Sequence, residues 1–397
     1  MEATVLIAAR NAAPTIGRAV RSVVEEPIAE IILIDDFSSD ATVANARAAA
    51  GTRPLRVVQP PAHRTLALTR QAGFEALETD CGIWLDADDA FLPGRTRRLL
   101  SALETHEAGI ASDGVALFDG PSDRFLREAQ IPPFMFRDRW LVRQFERNYL
   151  PGAGQIAIRR EVAKELGYRL NLESAEDSDL LLRAAVARVP VALLPEIGYR
   201  MCAYPGSVSR NLDRMRRTTA ESLRSFDYEA VQTLYREAGY SERVAQWALL
   251  SMASFREDFP MLRRMLEELD RLPESERNHI LEPEGPMPRP EGWRIDFMLG
   301  VLALSLRDWA EAHHRFQSAQ ERLPTPETLN NLGVSLRNLG RETEALHCFE
   351  QALEAFPEYL DARGNQTNAD AAAVTQQPLR QQACRHEYSE PVAVGLT

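Results

Sequence analysis

Lysine is nearly absent from this sequence: Lys164 stands alone among 46 basic residues. Such an arginine bias is what a GC-rich genome produces, and it carries no functional signal. Cysteine is scarce as well. Cys81, Cys202, Cys348 and Cys384 lie far apart and form no C-x-x-C pair, which speaks against a zinc site and a disulfide framework and fits a reducing cytosol. No stretch approaches the length of about 18 apolar residues that a membrane span needs. The chain also enters a strand-like TVLIAA without a basic leader, so the expected location is cytoplasmic, with no transmembrane segment. Asn365-Gln366-Thr367 matches a glycosylation pattern, and without export the match is expected to be chance. Concentrated positive charge is missing too. The formal charge is −12, from 46 basic and 58 acidic residues, and the arginines are scattered, which argues against nucleic acid as the main partner.

What is present is enough for two domains. With 397 residues, 45% of them hydrophobic, the chain exceeds the size at which a single core stops growing. The first 110 or so residues alternate short β-rich runs, Val5 to Ala9, Ile31 to Ile34, Leu55 to Val58 and Ile83 to Leu85, with helix-period segments. That alternation predicts βαβ units and a mostly parallel sheet. Between the first two runs Ile16, Ala19, Val20, Val23 and Val24 recur at helical spacing, and Pro14 and Thr15 stand where a helix would start. Residues 110 to 150 lack a period and are expected to be loops and short elements, the usual form of a functional insertion. Order is expected again at Gln155 to Ile158, in helices near Glu161 to Leu166 and Ala175 to Ala187, and in closing strands Val191 to Leu194 and Ile197 to Cys202.

From Thr218 to Leu272 the pattern is helical, with breaks expected at Gly239 and Pro260. Residues 283–292 read as a Pro-rich linker. Beyond it one pattern occurs twice: Leu299-Gly300, Ala312, Phe316, Ala319, Pro324, then Leu332-Gly333, Ala345, Phe349, Ala352, Pro357. The offset is 33 at every position, close to the 34 of a tetratricopeptide unit. Two such units cannot easily bury their own faces, so the preceding helices are expected to supply packing surface. After Asp361 no periodicity remains, and a disordered tail is expected.

Chemistry is sought at the carboxyl ends of the strands, where open α/β sheets bind ligands. Those ends are acidic here: Arg10-Asn11, then Asp35-Asp36-Phe37-Ser38-Ser39-Asp40, then Asp86-Ala87-Asp88-Asp89. Three carboxylates within four residues repel one another unless a cation or strong donors intervene. Magnesium or manganese, which prefers one or two carboxylates plus phosphate oxygens and water, is the economical partner. The plain alternative is that aspartates simply make turns after strands.

The ordered set of motifs decides between them. VLIAARNAAPTIGRAVRSV, IILIDDFSSDAT, RTLALTRQAGFEAL, GIWLDADDAFLPG and AEDSDLLLRA resemble, in order across roughly the first 210 residues, the opening segment, the "VDDGSTD" segment, the "ARN-G" helix, the metal-binding strand end and the "ED-x-D" segment of the family 2 glycosyltransferases. The resemblance implies a GT-A fold, Rossmann-like with a mostly parallel sheet, in a catalytic domain at residues 1–215. An all-α part would follow: a helical extension at 216–282, the linker at 283–292, tetratricopeptide-type repeats at 293–360 and the tail at 361–397.

The resemblance also assigns roles. Ala9, Asn11, Asp35, Asp36 and Arg70 would line the nucleotide site, joined by Asp86, Ala87 and Asp88, with Asp86 and Asp88 holding Mn2+ or Mg2+. Asp177 would be the general base of an inverting transfer, taking the acceptor hydroxyl's proton opposite the leaving group. At the start of a helix its ionised form is favoured, although Glu176 and Asp177 could equally just cap that helix. Gly152, Gly154, Glu176 and Asp89 would lie against the substrates, where a loop of small residues allows close approach. Tyr199-Arg200 and Pro205-Gly206-Ser207-Val208-Ser209 resemble the family's "YR…HPGS-S" ending, with Tyr204 where a histidine is usual. Arg210, Arg214, Arg216 and Arg217 follow as a solvated helix face or a diphosphate screen.

The expected activity is transfer of a sugar from a nucleoside diphosphate donor, uridine-linked, to a glycan or protein acceptor, with a protein partner or self-association possible through the repeats. Two alternatives stand beside it. A nucleotidyltransferase would carry a Gly-rich basic signature where Ala12, Ala13 and Pro14 stand. An inactive scaffold working through its repeats would explain the missing histidine, but not the intact LDADD and AEDSD segments.

Overall fold

The computed structural model describes residues 1–63, 65–136, 139–146, 148–152, 154–204, 212–277, 290–357, 359–368 and 374–375. The chain divides into two compact units, Met1–Ala245 and Gln246–Thr397. The first unit therefore extends past the boundary expected at residue 215 and takes in the first helices of the extension.

Unit 1 is built on a nine-stranded sheet. Its strands are β1 (Ala3–Ala9), β2 (Glu30–Asp35), β3 (Leu55–Val58), β4 (Cys81–Asp86), β5 (Ala90–Phe91), β6 (Ile110–Asp119), β7 (Phe125–Ala129), β8 (Ala157–Arg159) and β9 (Val191–Ala203). The order is β3-β2-β1-β4-β8-β6-β9-β5, with β7 added on β6. β3, β2, β1 and β4 run parallel, as expected. β8 enters antiparallel to both β4 and β6, which makes the sheet mixed. The helices are α1 (Ile16–Arg21), α2 (Thr42–Ala50), α3 (Leu66–Ala76), α4 (Arg95–Thr105), α5 (Arg160–Leu166), α6 (Glu176–Val186), α7 (Leu212–Arg224) and α8 (Tyr228–Glu237).

The core follows from the sequence pattern. Val5, Ile7, Ile31, Leu33, Ile83 and Leu85 alternate along their strands onto one face and meet Ile16, Ala19, Val20 and Val23 of the α1 segment. The opposite face buries Leu6, Ile32, Trp84 and Phe74 of α3. Strands covered on both sides must read as continuous apolar runs, which is why β1, β2 and β4 were legible.

The region from 110 to 150 departs from expectation. It holds β6, the second half of a long ladder with β9, together with β7 and two 3-10 turns, Pro133–Met135 and Trp140–Phe145. Asp113 and Gly114 interrupt the apolar pattern of β6, and the interruption has a tertiary cause. Asp113 is buried and accepts bonds of 2.8 to 3.1 Å from Arg95 at the start of α4. Opposite it Gly198 has no room for a side chain, since a Cβ there would lie 1.7 Å from Asp113 Oδ2. The two closing strands expected at 191–194 and 197–202 are one strand, β9, shifting register against β6 around Ser112 to Val115.

Unit 2 is helical among its described residues. The helix α9 (Glu242–Phe255) contains the boundary between the units. It is followed by α10 (Phe259–Asp270), α11 (Glu274–Arg277), α12 (Glu291–Ser305), α13 (Trp309–Arg322), α14 (Pro326–Asn338), α15 (Glu342–Ala355) and α16 (Leu360–Thr367). The breaks expected at Gly239 and Pro260 are real: Gly239 takes φ +78 after α8, and Pro260 sits in the first turn of α10. The repeat period appears as two helix pairs, α12–α13 and α14–α15. In each, a glycine admits a phenylalanine ring. A Cβ on Gly300 would lie 2.7 Å from Phe316, and one on Gly333 2.6 Å from Phe349. Helix α10 supplies the expected extra packing surface, with Arg315 of α13 bonding Asp270 and Asp296 at 3.2 Å each.

Two boundaries need correction. Pro290 is the N-cap of α12, so Glu291 and Gly292 are helical and the expected linker is shorter at that end; its other residues lie outside the described ones. The tail is not wholly irregular. Residues 360–367 form α16, which buries Ala362 and Asn365 against α14 and α15. Ala362 joins an apolar cluster with Leu329, Ala352 and Phe356 while Asn365 bonds Asn330, and with so few apolar residues a search for apolar periodicity passes over the helix. No helix among the described residues is long and apolar enough to cross a membrane.

Candidate active site

The register of the parallel strands brings the acidic residues to one edge. Ala9 pairs with Asp35 and Ala8 with Asp86, so the chain leaves β1, β2 and β4 at the same end of the sheet. Asn11 takes a left-handed backbone, φ +48. Its side-chain oxygen accepts Ser39 N–H at 2.9 Å, while its own N–H donates to Ser38 Oγ at 2.9 Å. These bonds tie the β1 turn to the β2 turn. Asp35 and Asp36 are nearly buried.

Asp36 has a partner that its sequence neighbourhood does not show. His63 Nδ1 lies 2.6 Å from Asp36 Oδ2, and His63 Nε2 lies 2.5 Å from Arg10 Nη1. Arginine can only donate, so Nε2 accepts and Nδ1 carries the proton given to Asp36. The chain Arg10–His63–Asp36 runs beside the ends of β1 and β2.

Arg70 of α3 stands at the centre of the site and is 3% exposed. Its Nη2 donates to Asp86 Oδ1 at 3.1 Å, its Nη1 to the Gly154 carbonyl at 3.3 Å, and its Nε faces Glu176 Oε1 at 3.5 Å. The guanidinium also lies over Trp84, 5.2 Å from the ring centre. Burial works against its charge, yet Glu176 and Asp86 overcome that and hold its pKa above the ordinary arginine value. Burial raises the Glu176 carboxyl from 4.5 to about 7, with Arg70 opposing the rise and Asp177 adding to it.

Asp86 accepts on both oxygens, from Arg70 and, at 2.6 Å, from Gln155 Nε2. Its backbone N–H donates to Tyr199 OH at 3.0 Å. That hydroxyl in turn donates to Asp89 Oδ2 at 2.9 Å, and Asp89 Oδ1 accepts Cys202 N–H at 2.7 Å. Asp89 is fully buried. It braces the turn from within. Glu176 is 4% exposed and turned onto Arg70. The Asp88 backbone carbonyl accepts from Arg18 Nη2, and carboxylate oxygens of Asp86, Asp88 and Asp89 come within 4.8 Å of one another. That donor set suits a hard divalent ion, with half-buried Asp86 and Asp88 facing outward. Ala87, between them, is 9% exposed.

The loop before β8 approaches from the other side. Gly154 has no space for a side chain: a Cβ would lie 2.8 Å from Arg70 Nη1 and 3.2 Å from Asp177 Oδ2. Gly152 is limited by Gln155 Oε1 at 2.9 Å. Ala175, at φ +55, turns the chain into α6 so that Glu176 points inward and half-buried Asp177 accepts Ser178 N–H at 2.7 Å. Asp36, Arg70, Asp86, Gly154 and Asp177 therefore converge although they are far apart in the sequence. Asp179, the last acid of the AEDSD segment, is fully buried and holds Arg183 and Ser222, which docks α7 on α6.

His63 is a member of this site that its local sequence did not mark. Arg95 supports the site at one remove, reaching the Gln155 carbonyl at 2.5 Å. The ring of Tyr204 covers Gly120, and its hydroxyl lies 3.5 Å from Arg18 Nη2. Residues 205–211, including Arg210, and Ala153 lie outside the described residues, while Arg214, Arg216 and Arg217 fall on α7.

Residues 4–167 match the family model Glycosyl transferase family 2, and residues 326–359 match the tetratricopeptide repeat model. Succinoglycan biosynthesis protein ExoU of Rhizobium meliloti (strain 1021) is 33% identical over 215 residues, covering 52% of this chain and 63% of the relative. Succinoglycan biosynthesis protein ExoO of the same organism is 31% identical over 235 residues, covering 53% and 63%. The chain thus matches less than two thirds of the length of these curated relatives. The structure of S. aureus TarS 1-349 in complex with UDP-GlcNAc superposes with a TM-score of 0.50 at 14% identity, over 90% of this chain and 92% of that one. That likeness shows the fold: a GT-A sheet domain with a helical C-terminal region.

Proposed function

We propose, from the family 2 glycosyltransferase domain at residues 4–167, that this chain moves a sugar from a uridine diphosphate donor to an acceptor hydroxyl with inversion. The observation that carries the reading is the meeting of two distant acidic segments on Arg70, with Asp86 on one side and the Glu176–Asp177 turn on the other. A glycosyl transfer needs a diphosphate site and a base separated by the width of one sugar, and these segments lie on either side of the Gly152–Gly154 loop.

In this reading Asp36, with Asp35 beside it, holds the nucleoside, and the Arg10–His63 pair orients Asp36. Asp86 and Asp88 hold Mn2+ or Mg2+, which when bound supplies a Lewis acid for the departing diphosphate. Arg70 adds a fixed positive charge that burial keeps from water. Asp177 takes the acceptor proton as its oxygen attacks the anomeric carbon. Glu176, turned onto Arg70, positions it. The curated relatives are named for succinoglycan biosynthesis, which supports a glycan acceptor, and the repeats offer a surface for a protein partner. A single addition is favoured over processive synthesis, since the sequence holds no QxxRW segment.

The test is a panel of sugar nucleotides assayed with manganese, following release of nucleoside diphosphate. Asp177→Asn should lower turnover by about 10² to 10⁴, the range of a lost general base, with the fold intact by circular dichroism. Undiminished turnover in that variant would remove the base assignment, and release of inorganic diphosphate would point instead to nucleotidyl transfer.

A further inference from the structure

The last described helices of unit 2 carry a cluster of buried amides. Asn330 and Asn331 of α14 and Asn365 of α16 are each 0% exposed. Burying amides is unfavourable unless they are hydrogen-bonded. Their partner is not only the repeat itself but Thr375, which lies beyond the end of α16 in the sequence.

Asn331 treats Thr375 as one β-strand treats another. Its Oδ1 accepts Thr375 N–H at 2.9 Å, and its Nδ2 donates to the Thr375 carbonyl at 2.8 Å. One side-chain amide thereby satisfies both main-chain groups of a single residue. The hydroxyl is read separately. A threonine hydroxyl has one proton to give and two lone pairs to offer. Thr375 Oγ1 donates to Asp361 Oδ2 at 2.9 Å, and it accepts from Tyr359 OH and, at 3.4 Å, from Asn330 Nδ2. Asn330 is itself held by Asn365, whose Nδ2 donates to Asn330 Oδ1 at 2.9 Å.

We propose that the floor formed by Asn330, Asn331, Tyr359, Asp361 and Asn365 is a binding site for an extended peptide segment bearing a hydroxyl side chain, and that the chain's own Thr375 occupies it in cis. The main-chain contacts suit any extended residue other than proline. The three contacts to Oγ1 select threonine or serine, because an aliphatic side chain there leaves Asp361 and Tyr359 facing carbon. The site rests on unit 2 alone and is independent of the glycosyltransferase reading. A tethered occupant competes at a millimolar effective concentration, so a segment of the same chemistry supplied in trans binds well only after the tether is displaced.

The test uses the full chain and a fluorescent peptide of sequence ADAAAVTQQPLR, residues 369–380, followed by anisotropy. Thr375→Pro in the protein removes both the N–H and the hydroxyl of the cis occupant. It should tighten binding of the peptide about tenfold or more relative to the unmodified chain. Adding Asn331→Asp, which keeps the acceptor but loses the Nδ2 donor, should reverse that gain. A peptide with valine in place of the threonine should bind the Thr375→Pro protein at least tenfold more weakly, and this arm leaves the protein unchanged if Asn331→Asp impairs folding. Equal peptide affinity for the unmodified and Thr375→Pro chains, or equal affinity for the threonine and valine peptides, would overturn the proposal.

Discussion

Asp177 Oδ2 lies 3.2 Å from the point that a Cβ on Gly154 would occupy, while the Arg70 guanidinium crowds the same point at 2.8 and 2.9 Å. The loop backbone is therefore wedged between the proposed base and the central cation. Gly154→Ala should push Arg70 off Asp86, cost about 1 to 3 kcal/mol of stability and lower turnover tenfold or more. Chemical denaturation and turnover measured on one preparation check both. An alanine variant with full activity would show that the contact gives way freely.

The Glu176 carboxyl titrates near 7 in the folded chain and near 4.5 when exposed, so the native state holds this proton more tightly than the unfolded one. The resulting stabilisation is complete below about pH 4.5 and is lost as pH rises through about 7. Relative to Glu176→Gln, the unmodified chain should lose up to about 1.4 kcal/mol per pH unit across that window. Urea unfolding of both proteins at pH 5 and pH 7.5 measures the difference, and a difference that does not vary with pH contradicts the assignment.

Metal removal offers a direct check on the Asp86–Asp88 turn. Chelation should abolish donor turnover, and added manganese or magnesium should restore it. Asp88→Asn should lower activity at fixed metal by more than about 100-fold, the upper scale for losing an outer contact to a metal, and should shift the metal titration to higher concentration. Full activity in the presence of chelator would exclude the ion from the reaction.

Phe37 carries a left-handed backbone, φ +55, with its ring 47% exposed beside Asp36, at the place where the resembling "VDDGSTD" segment has glycine. Such strain costs about 1 to 3 kcal/mol. Phe37→Gly should stabilise the free protein by about 1 kcal/mol net of the added chain entropy and weaken nucleotide binding. Thermal melts with and without uridine diphosphate separate the two effects.

Two glycines of the repeat unit should respond in opposite directions. Gly333→Ala drives a methyl into the Phe349 ring and should cost about 1 to 3 kcal/mol. Gly364, in α16, has open space for 4 Å around the point where a Cβ would stand, and alanine there should add about 0.5 to 1 kcal/mol. Differential scanning calorimetry of the full chain reports both.

The strands β1 to β4 and both repeat pairs were legible because their burial is periodic and local. Doubly covered strands read as apolar runs, and each Gly–Phe pair recurs at one spacing. The acidic strand ends were legible because three aspartates within four residues have few reasons to coexist. β6 was hidden by Asp113, a carboxylate whose burial makes sense only once Arg95 is seen facing it. His63 was hidden for the same reason: its meaning depends on Asp36, 27 residues earlier. Helix α16 escaped because one buried alanine and one buried amide, rather than an apolar stripe, hold it. Where a side chain's partner is distant and polar, neither period nor composition reports it.

Arg95 never faces the pocket, yet it grips Asp113, carries the Gln155 carbonyl and lies under the rings of Phe91 and Tyr199 at 4.5 and 4.8 Å. Gln155 and Tyr199 both hold Asp86, alongside Arg70. Substitutions at Arg95 or Asp113 should therefore lower turnover in the proposed reaction by loosening Asp86 at one remove, although neither side chain is placed against a ligand. The buried support beneath the acidic turn is thus as open to test as the turn itself.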